Sequence, residues 1–163
     1  MDLKLVPFIS FDEMIDPNAD IVLCPERFGI EYTSESLFNG FIACVPGHPL
    51  IKKYIDEVVK RVTERNYGKN AWDITGPRVF ARVAIKELKC KWPIQSGEYD
   101  EHGYVQGGTT RWYKDRSIYF GEKKAIKLRI PETGNKQRFA AMSMSESYNS
   151  LYAKKKVFRD VKK

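Results

Sequence analysis

Cysteine and histidine are scarce in this chain of 163 residues, which holds three of the first and two of the second. The thiol count is odd, and Cys24, Cys44 and Cys90 lie far apart, so no disulfide framework is readable. Cys24 and Cys44 sit inside the apolar runs IVLC and FIACV, a setting that predicts buried free thiols. Free thiols fit a reducing compartment such as the cytoplasm. With only His48 and His102, a zinc site is not expected. Long hydrophobic runs are also missing: none approaches the roughly 20 apolar residues of a bilayer span. Residues 1–8, MDLKLVPF, lack the basic and apolar regions of a secretion signal, so no targeting segment is expected there.

What is present belongs to a globular domain. Hydrophobic residues make up 42% and charged residues 30%, enough apolar side chain for a packed core and too little net charge for disorder. The length favours one domain, read here as residues 1–153 followed by a basic tail, KKKVFRDVKK, at 154–163. The formal charge of +7 is concentrated in that tail, which holds six basic residues and one acidic. The tail reads as a solvated chain end, and the remaining domain is too weakly positive to predict a nucleic-acid binder.

Two short apolar runs, residues 21–24 and 41–45, read as strands, the second ended by Pro46-Gly47. From Pro49 the pattern turns helical. Ile51, Tyr54, Ile55, Val58, Val59 and Val62 form one predicted buried stripe, with lysines, arginines and acids opposite. Gly68 is the expected stop. A second helix is predicted over residues 75–89, with Thr75 as N-cap, Pro77 in its first turn, and Val79, Phe80, Val83, Ala84 and Leu88 inward. Gly76 weakens a first turn and has more use where something must approach the backbone closely. Beyond Pro93, scattered glycines and aromatics predict short strands and loops, with a last helix within residues 140–153. The order of elements predicts an α/β or α+β fold.

Several motifs carry chemistry beside a plain structural reading. Asn39-Gly40 forms a turn, and its amide is placed to meet hydroxyls or phosphate at a strand entrance. Pro46-Gly47-His48-Pro49 is a strand-to-helix turn in which His48 is a weak general-base candidate. Asp12, Glu13, Asp16, Asp20, Glu26, Glu31 and Glu35 make the first third acidic: solvated loop charges, or a hard-cation site for a diphosphate.

The sequence order of these motifs is more specific than any of them singly. NGFIACVPGHPLIKKYIDEVVKR (residues 39–61), a short loop, then DITGPRVFARV (residues 73–83) resembles the DXD-motif glycosyltransferases. That family includes the initiating mannosyltransferase-like enzymes of yeast and the capsular polysaccharide synthesis transferases. LKLVPFISFDEMI (residues 3–15) and ADIVLC (residues 19–24) extend the likeness to roughly residues 1–90.

The resemblance implies a GT-A-like, Rossmann-type nucleotide-diphospho-sugar transferase fold, truncated at its N-terminus inside the DXD motif. It implies glycosyl transfer from a nucleotide sugar to a glycan or other hydroxyl acceptor. A divalent metal, Mn or Mg, would stabilise the leaving diphosphate. Asp2 would be the surviving DXD ligand to that metal. Asn39 and Gly40 would meet the donor sugar or its phosphates. Thr75, Gly76 and Pro77 would present a helix N-terminus to the donor. Asp73 would contact a sugar or acceptor hydroxyl, and His102 and Trp112 would stand for the family's late His and Trp near the metal. The other reading is a non-catalytic remnant that binds a glycan or a protein.

Overall fold

A computed structural model of the chain describes residues 5–27, 35–111, 116–128 and 148–158. In order, the elements are β1 (Leu5–Pro7), α1 (Phe11–Met14), β2 (Ile21–Leu23), β3 (Ala43–Cys44) and α2 (Pro49–Thr63). A 3-10 turn (Ala71–Asp73) leads into α3 (Pro77–Glu87). Then come β4 (Gly97–Glu98), a second 3-10 turn (Asp100–His102), β5 (Tyr104–Gly107) and β6 (Thr109–Arg111). β7 (Ser117–Phe120), β8 (Lys123–Leu128) and α4 (Tyr148–Ala153) complete the described elements.

The strands form two four-stranded sheets. One has the order β3-β2-β5-β4, with β2 and β5 parallel and the outer pairs antiparallel. The other is wholly antiparallel, in the order β1-β8-β7-β6. The fold is therefore mixed α/β.

β2 sits between two cores, and side-chain alternation divides it. Ile21 and Leu23 face α2 and α3, packing with Leu50, Phe80, Ala84 and Val105. Val22 and, just past the strand, Cys24 face the second sheet, packing with Leu5, Ile118 and Ile126. A strand buried on both faces reads as an unbroken apolar run, which is why IVLC is legible. The two sheets meet where β5 passes into β6 at Gly108. Its N–H donates to the Leu23 carbonyl at 2.8 Å. A Cβ there would lie 2.7 Å from the Phe120 ring and 2.8 Å from Cys24 Sγ, so only glycine fits the crossing.

α2 and α3 form, with four departures from the sequence reading. The first is the α2 stripe: Leu50 is fully buried and Ile51, Tyr54 and Val58 are half-buried, but Ile55, Val59 and Val62 are 54%, 58% and 45% exposed. One helix lying beside another and over one sheet buries a narrower arc than the apolar residues occupy. The second is the end of α2. The helix stops at Arg65 (φ 50), three residues before Gly68, and Asn66 N–H reaches back to the Arg61 carbonyl at 2.8 Å. Gly68 also has positive φ, and a Cβ there would strike Asp73.

The third departure is the start of α3. Gly76 is its N-cap and no side chain caps the turn, so Thr75 does not play that part. Pro77 does occupy the first turn, and Val79, Phe80, Ala84 and Leu88 are buried as the spacing predicts. The fourth is the second predicted strand, which shrinks to Ala43–Cys44. Phe41 is instead drawn into the core beside Phe120, and residues 36–38 hydrogen-bond to residues 24–26.

All three cysteines are free, yet only Cys24 is buried; Cys44 is exposed on the edge strand β3. Of the predicted last helix, residues 148–153 are helical and 140–147 lie outside the described residues. The start of the tail keeps Lys154, Lys155 and Lys156 exposed, as expected, while touching the domain. Lys155 Nζ lies 4.6 Å from the Tyr67 ring centroid and 4.7 Å from that of Tyr152, and Phe158 packs edge-on to Tyr67.

Candidate functional site at the carboxyl end of β2

The turn carrying Asn39 and the N-terminus of α3 meet at one edge of the mixed sheet. β3 runs antiparallel to β2, with Cys44 opposite Ile21, so the residues ahead of β3 lie at the carboxyl end of β2. Leu37, bridged to Pro25, donates its N–H to the Pro77 carbonyl at 3.1 Å. This bond holds the start of α3 against that edge.

Tyr54 joins the two segments. Its hydroxyl donates to the Thr75 carbonyl at 2.7 Å, and the Asn39 side chain lies beside the same hydroxyl. The ring stacks on Phe80 with centroids 4.5 Å apart. Burial raises the Tyr54 pKa above the usual phenol value, and the Asn39 contact opposes that only in part. Tyr54 therefore holds its proton at neutral pH and acts here as a bridge, not a base.

Gly76 finds an intramolecular reason. A Cβ at this position would lie 3.2 Å from the Trp72 carbonyl oxygen, a tight approach to backbone. The preceding 3-10 turn is packed under the helix start, and Asn70 caps it by accepting from Trp72 N–H at 3.0 Å.

Asp73 is engaged structurally. Its carboxylate is buried, with Oδ1 accepting from Arg82 at 2.7 Å and Oδ2 from Lys69 N–H at 3.0 Å. Its carbonyl accepts from Arg61 at 2.9 Å, so α2, α3 and the intervening loop are tied through one residue. Burial alone would raise its pKa. The Arg82 bond and charge, the Lys69 N–H and the Arg78 charge outweigh it and leave the carboxyl below its usual value. Both oxygens already accept from the protein and the carboxylate is buried, so in this conformation Asp73 joins elements of the fold.

His102 is not brought to this edge. It closes the second 3-10 turn, just before β5 begins, and so lies at the opposite edge of the parallel pair. His48 lies there too: Nδ1 accepts from Leu50 N–H at 3.1 Å as the N-cap of α2, and Nε2 stands 3.0 Å from the His102 carbonyl. Capping explains His48 without general-base chemistry.

The acidic residues of the first third are dispersed. Asp20 accepts from Tyr104 N–H, Glu26 from Ser36, and Asp16 from Asn18. Asp12, Glu13 and Asp16 line a shallow cavity of about 420 Å³ and form no metal-binding group among the described residues. Asp2, Glu31 and Trp112 lie outside the described residues.

Sequence reasoning missed Tyr54, which it placed only in the core, and Arg78. Arg78 occupies the first turn of α3, with its guanidinium 5.8 Å from the Trp72 ring centroid. Its Nε is buried and has no hydrogen-bond partner among the described residues. A cation in a first turn opposes the helix dipole, and the turn itself holds no acid, the Asp73 carboxylate before it being the charge that Arg78 feels. That conflict, visible in the letters TGPR, marks a place suited to an anionic ligand.

No protein-family model, curated protein or solved structure matches this chain.

Proposed function

We propose that this chain is glycosyltransferase-like, moving a sugar from a nucleotide sugar to a hydroxyl acceptor on a GT-A-type α/β scaffold. The observation that carries the reading is the convergence of Asn39, Tyr54 and the uncapped, Arg78-bearing start of α3 at the carboxyl end of β2. Strand ends and helix N-termini are where open α/β sheets bind ligands. The Arg78 N–H and guanidinium suit a diphosphate, by dipole and by charge, since Pro77 has no N–H and that of Val79 already donates to the Gly76 carbonyl. The Asn39 amide offers hydrogen bonds of the kind sugar hydroxyls accept and donate. Asn39, Gly40, Thr75, Gly76 and Pro77 would line the donor, with Arg78 added. Mn or Mg supplies electrostatic stabilisation of the leaving diphosphate when bound. Asp2 is the ligand implied by resemblance. His102, at the far edge, leaves the catalytic set.

The test is binding and turnover of UDP- and GDP-sugars with Mn, in the native chain and in Asn39→Ala and Arg78→Ala. Removing Arg78 should weaken diphosphate binding by about tenfold or more, the loss of one charge-assisted contact. Equal donor binding in all three proteins would sink the reading. Glycan binding without turnover would give the second reading, a non-catalytic binding module.

A further inference from the structure

At the other end of α3, Glu87, Glu101 and His102 form a group whose potential ligand atoms all lie within 4.8 Å of one another. We propose that these three residues bind a borderline divalent ion of the Zn²⁺ class, which staples the end of α3 to the turn that opens β5. This inference stands independently of the glycosyltransferase reading. α3 has 11 residues and spans about 16 Å, so the group is a helix length away from Gly76 and the Asn39 edge.

Three observations carry it. First, His102 is 2% exposed, and both its ring nitrogens are buried without a hydrogen-bond partner among the described residues. Buried imidazole nitrogens are ordinarily satisfied. Nε2 faces Glu101 Oε1 at 3.8 Å, too long for a hydrogen bond, and an ion between them would satisfy that nitrogen. Second, two carboxylates approach each other there with little to neutralise them. Lys86 Nζ is 3.9 Å from a Glu87 oxygen, but its side chain is largely exposed and free to turn away. Lys89 is 3.5 Å from Asp100 instead, and no other lysine or arginine forms an ion pair with Glu87 or Glu101 among the described residues. Third, Glu87 is the last residue of α3, where the helix dipole disfavours an anion and a bound cation would reverse the balance.

The geometry is within reach of coordination. Ligands about 2.0–2.2 Å from a zinc ion lie ~3.0–3.5 Å apart, so closure needs small rotations. Glu101, with its side chain 76% exposed, is free to make them. The groove of about 520 Å³ that Glu87 lines between α2 and α3 carries more lysines and arginines than acids, so an ion would enter from the solvent side of Glu101, which is exposed. One imidazole with two carboxylates suits zinc or cobalt better than calcium or magnesium, which favour all-oxygen sites. Three protein ligands leave a remaining position for water. Two histidines in the whole chain therefore do not preclude a zinc-class site, because carboxylates complete the set.

The test uses the full chain, freed of metal with EDTA, titrated with Zn²⁺, Co²⁺, Mg²⁺ and Ca²⁺ by calorimetry. Imidazole ¹⁵N spectra report the ligand directly. One zinc ion should bind per chain, shift Nε2 of His102 and leave the His48 nitrogens in place; Co²⁺ should compete and Mg²⁺ and Ca²⁺ should not. Glu101→Gln, an exposed and isosteric change, should keep the apo melting temperature and weaken zinc binding by about 10–100-fold, at least the loss known for residues that merely support ligands. Glu87→Gln should do the same. Zinc binding unchanged in both variants, or an unmoved His102 signal at saturation, would overturn the proposal; so would equal binding of magnesium. The imidazole readout also separates this site from adventitious capture by the exposed Cys44 thiol.

Discussion

The Tyr54 hydroxyl donates to the Thr75 carbonyl at 2.7 Å, across the junction between α2 and the start of α3. Asn39 lies beside the same hydroxyl from the turn before β3, so three segments meet at one oxygen. Tyr54→Phe keeps the ring stacked on Phe80 and removes only that oxygen. It should cost about 1 kcal/mol in urea unfolding, the net worth of a partly buried hydrogen bond. Donor binding should fall with it, because the Asn39 amide loses its anchor. An unchanged denaturation midpoint would mean that the bridge is idle.

Asp73 should set the acid limb of stability. Its folded pKa is lowered below the ordinary 3.8 despite burial, chiefly through Arg82. A lowered folded value means that the stabilisation is complete above the unfolded pKa and is lost as pH falls through the folded one. Asp73→Asn should cost about 1–3 kcal/mol at pH 7, since Arg82 and Lys69 N–H lose their charged acceptor. Arg82 is partly exposed, which keeps the figure toward the lower end. The variant should also lose less stability than the native chain between pH 5 and pH 2. Parallel pH profiles would refute the assignment.

The thiols should separate by reactivity and mark the alkaline limb. Burial pushes the Cys24 pKa from 9.0 to about 12, with the Gly108 backbone opposing weakly; Cys44 and Cys90 are raised less drastically, also by burial. A thiol reagent should therefore label Cys44 first, Cys90 more slowly and Cys24 only on unfolding. A raised folded pKa means that stability is full below pH 9 and declines as pH rises toward 12. Each pH unit in that window costs at most about 1.4 kcal/mol per thiol. Cys24→Ala should flatten this limb while costing about 1 kcal/mol for the small cavity. Rapid labelling of all three thiols in the native state would contradict the packing of Cys24 between the two sheets.

Much of the fold was legible because the relevant signals are local. IVLC reads as a two-sided strand, Pro49 and Pro77 start helices, and the spacing from Val79 to Leu88 gives the buried face of α3. The illegible parts depend on what arrives from elsewhere in the chain. Nothing near Gly68 says that Arg65 turns first, and nothing in FIACV says that Phe41 leaves the strand for the core. The candidate site was half legible. Asn39 and the Thr75–Pro77 segment were found as separate motifs, but Tyr54 looked like an ordinary stripe residue because its hydroxyl partner is 21 positions away. His102 could be noticed from sequence. Its company, Glu87 and Glu101, is assembled only by α3 ending beside the turn before β5.

The exposed part of the α2 stripe gives the sharpest check on how that helix is rotated. If Val59 is 58% exposed, Val59→Ala removes methyl groups that already touch water, and the change should stay within about 0.5 kcal/mol. Val58, half-buried one position earlier, should cost about 1 kcal/mol on truncation. Phe80 is buried under Tyr54 at the centre of the same core, so Phe80→Ala should cost about 3–5 kcal/mol through lost burial and a cavity the neighbours cannot close. The ranking matters more than the values, because one full set of chemical denaturation curves fixes it. Were Val59→Ala to cost as much as Val58→Ala, α2 would be turned so that its whole apolar stripe faces inward. Tyr54 would then no longer point at Thr75, and the bridge that assembles the edge of the sheet would fail with it.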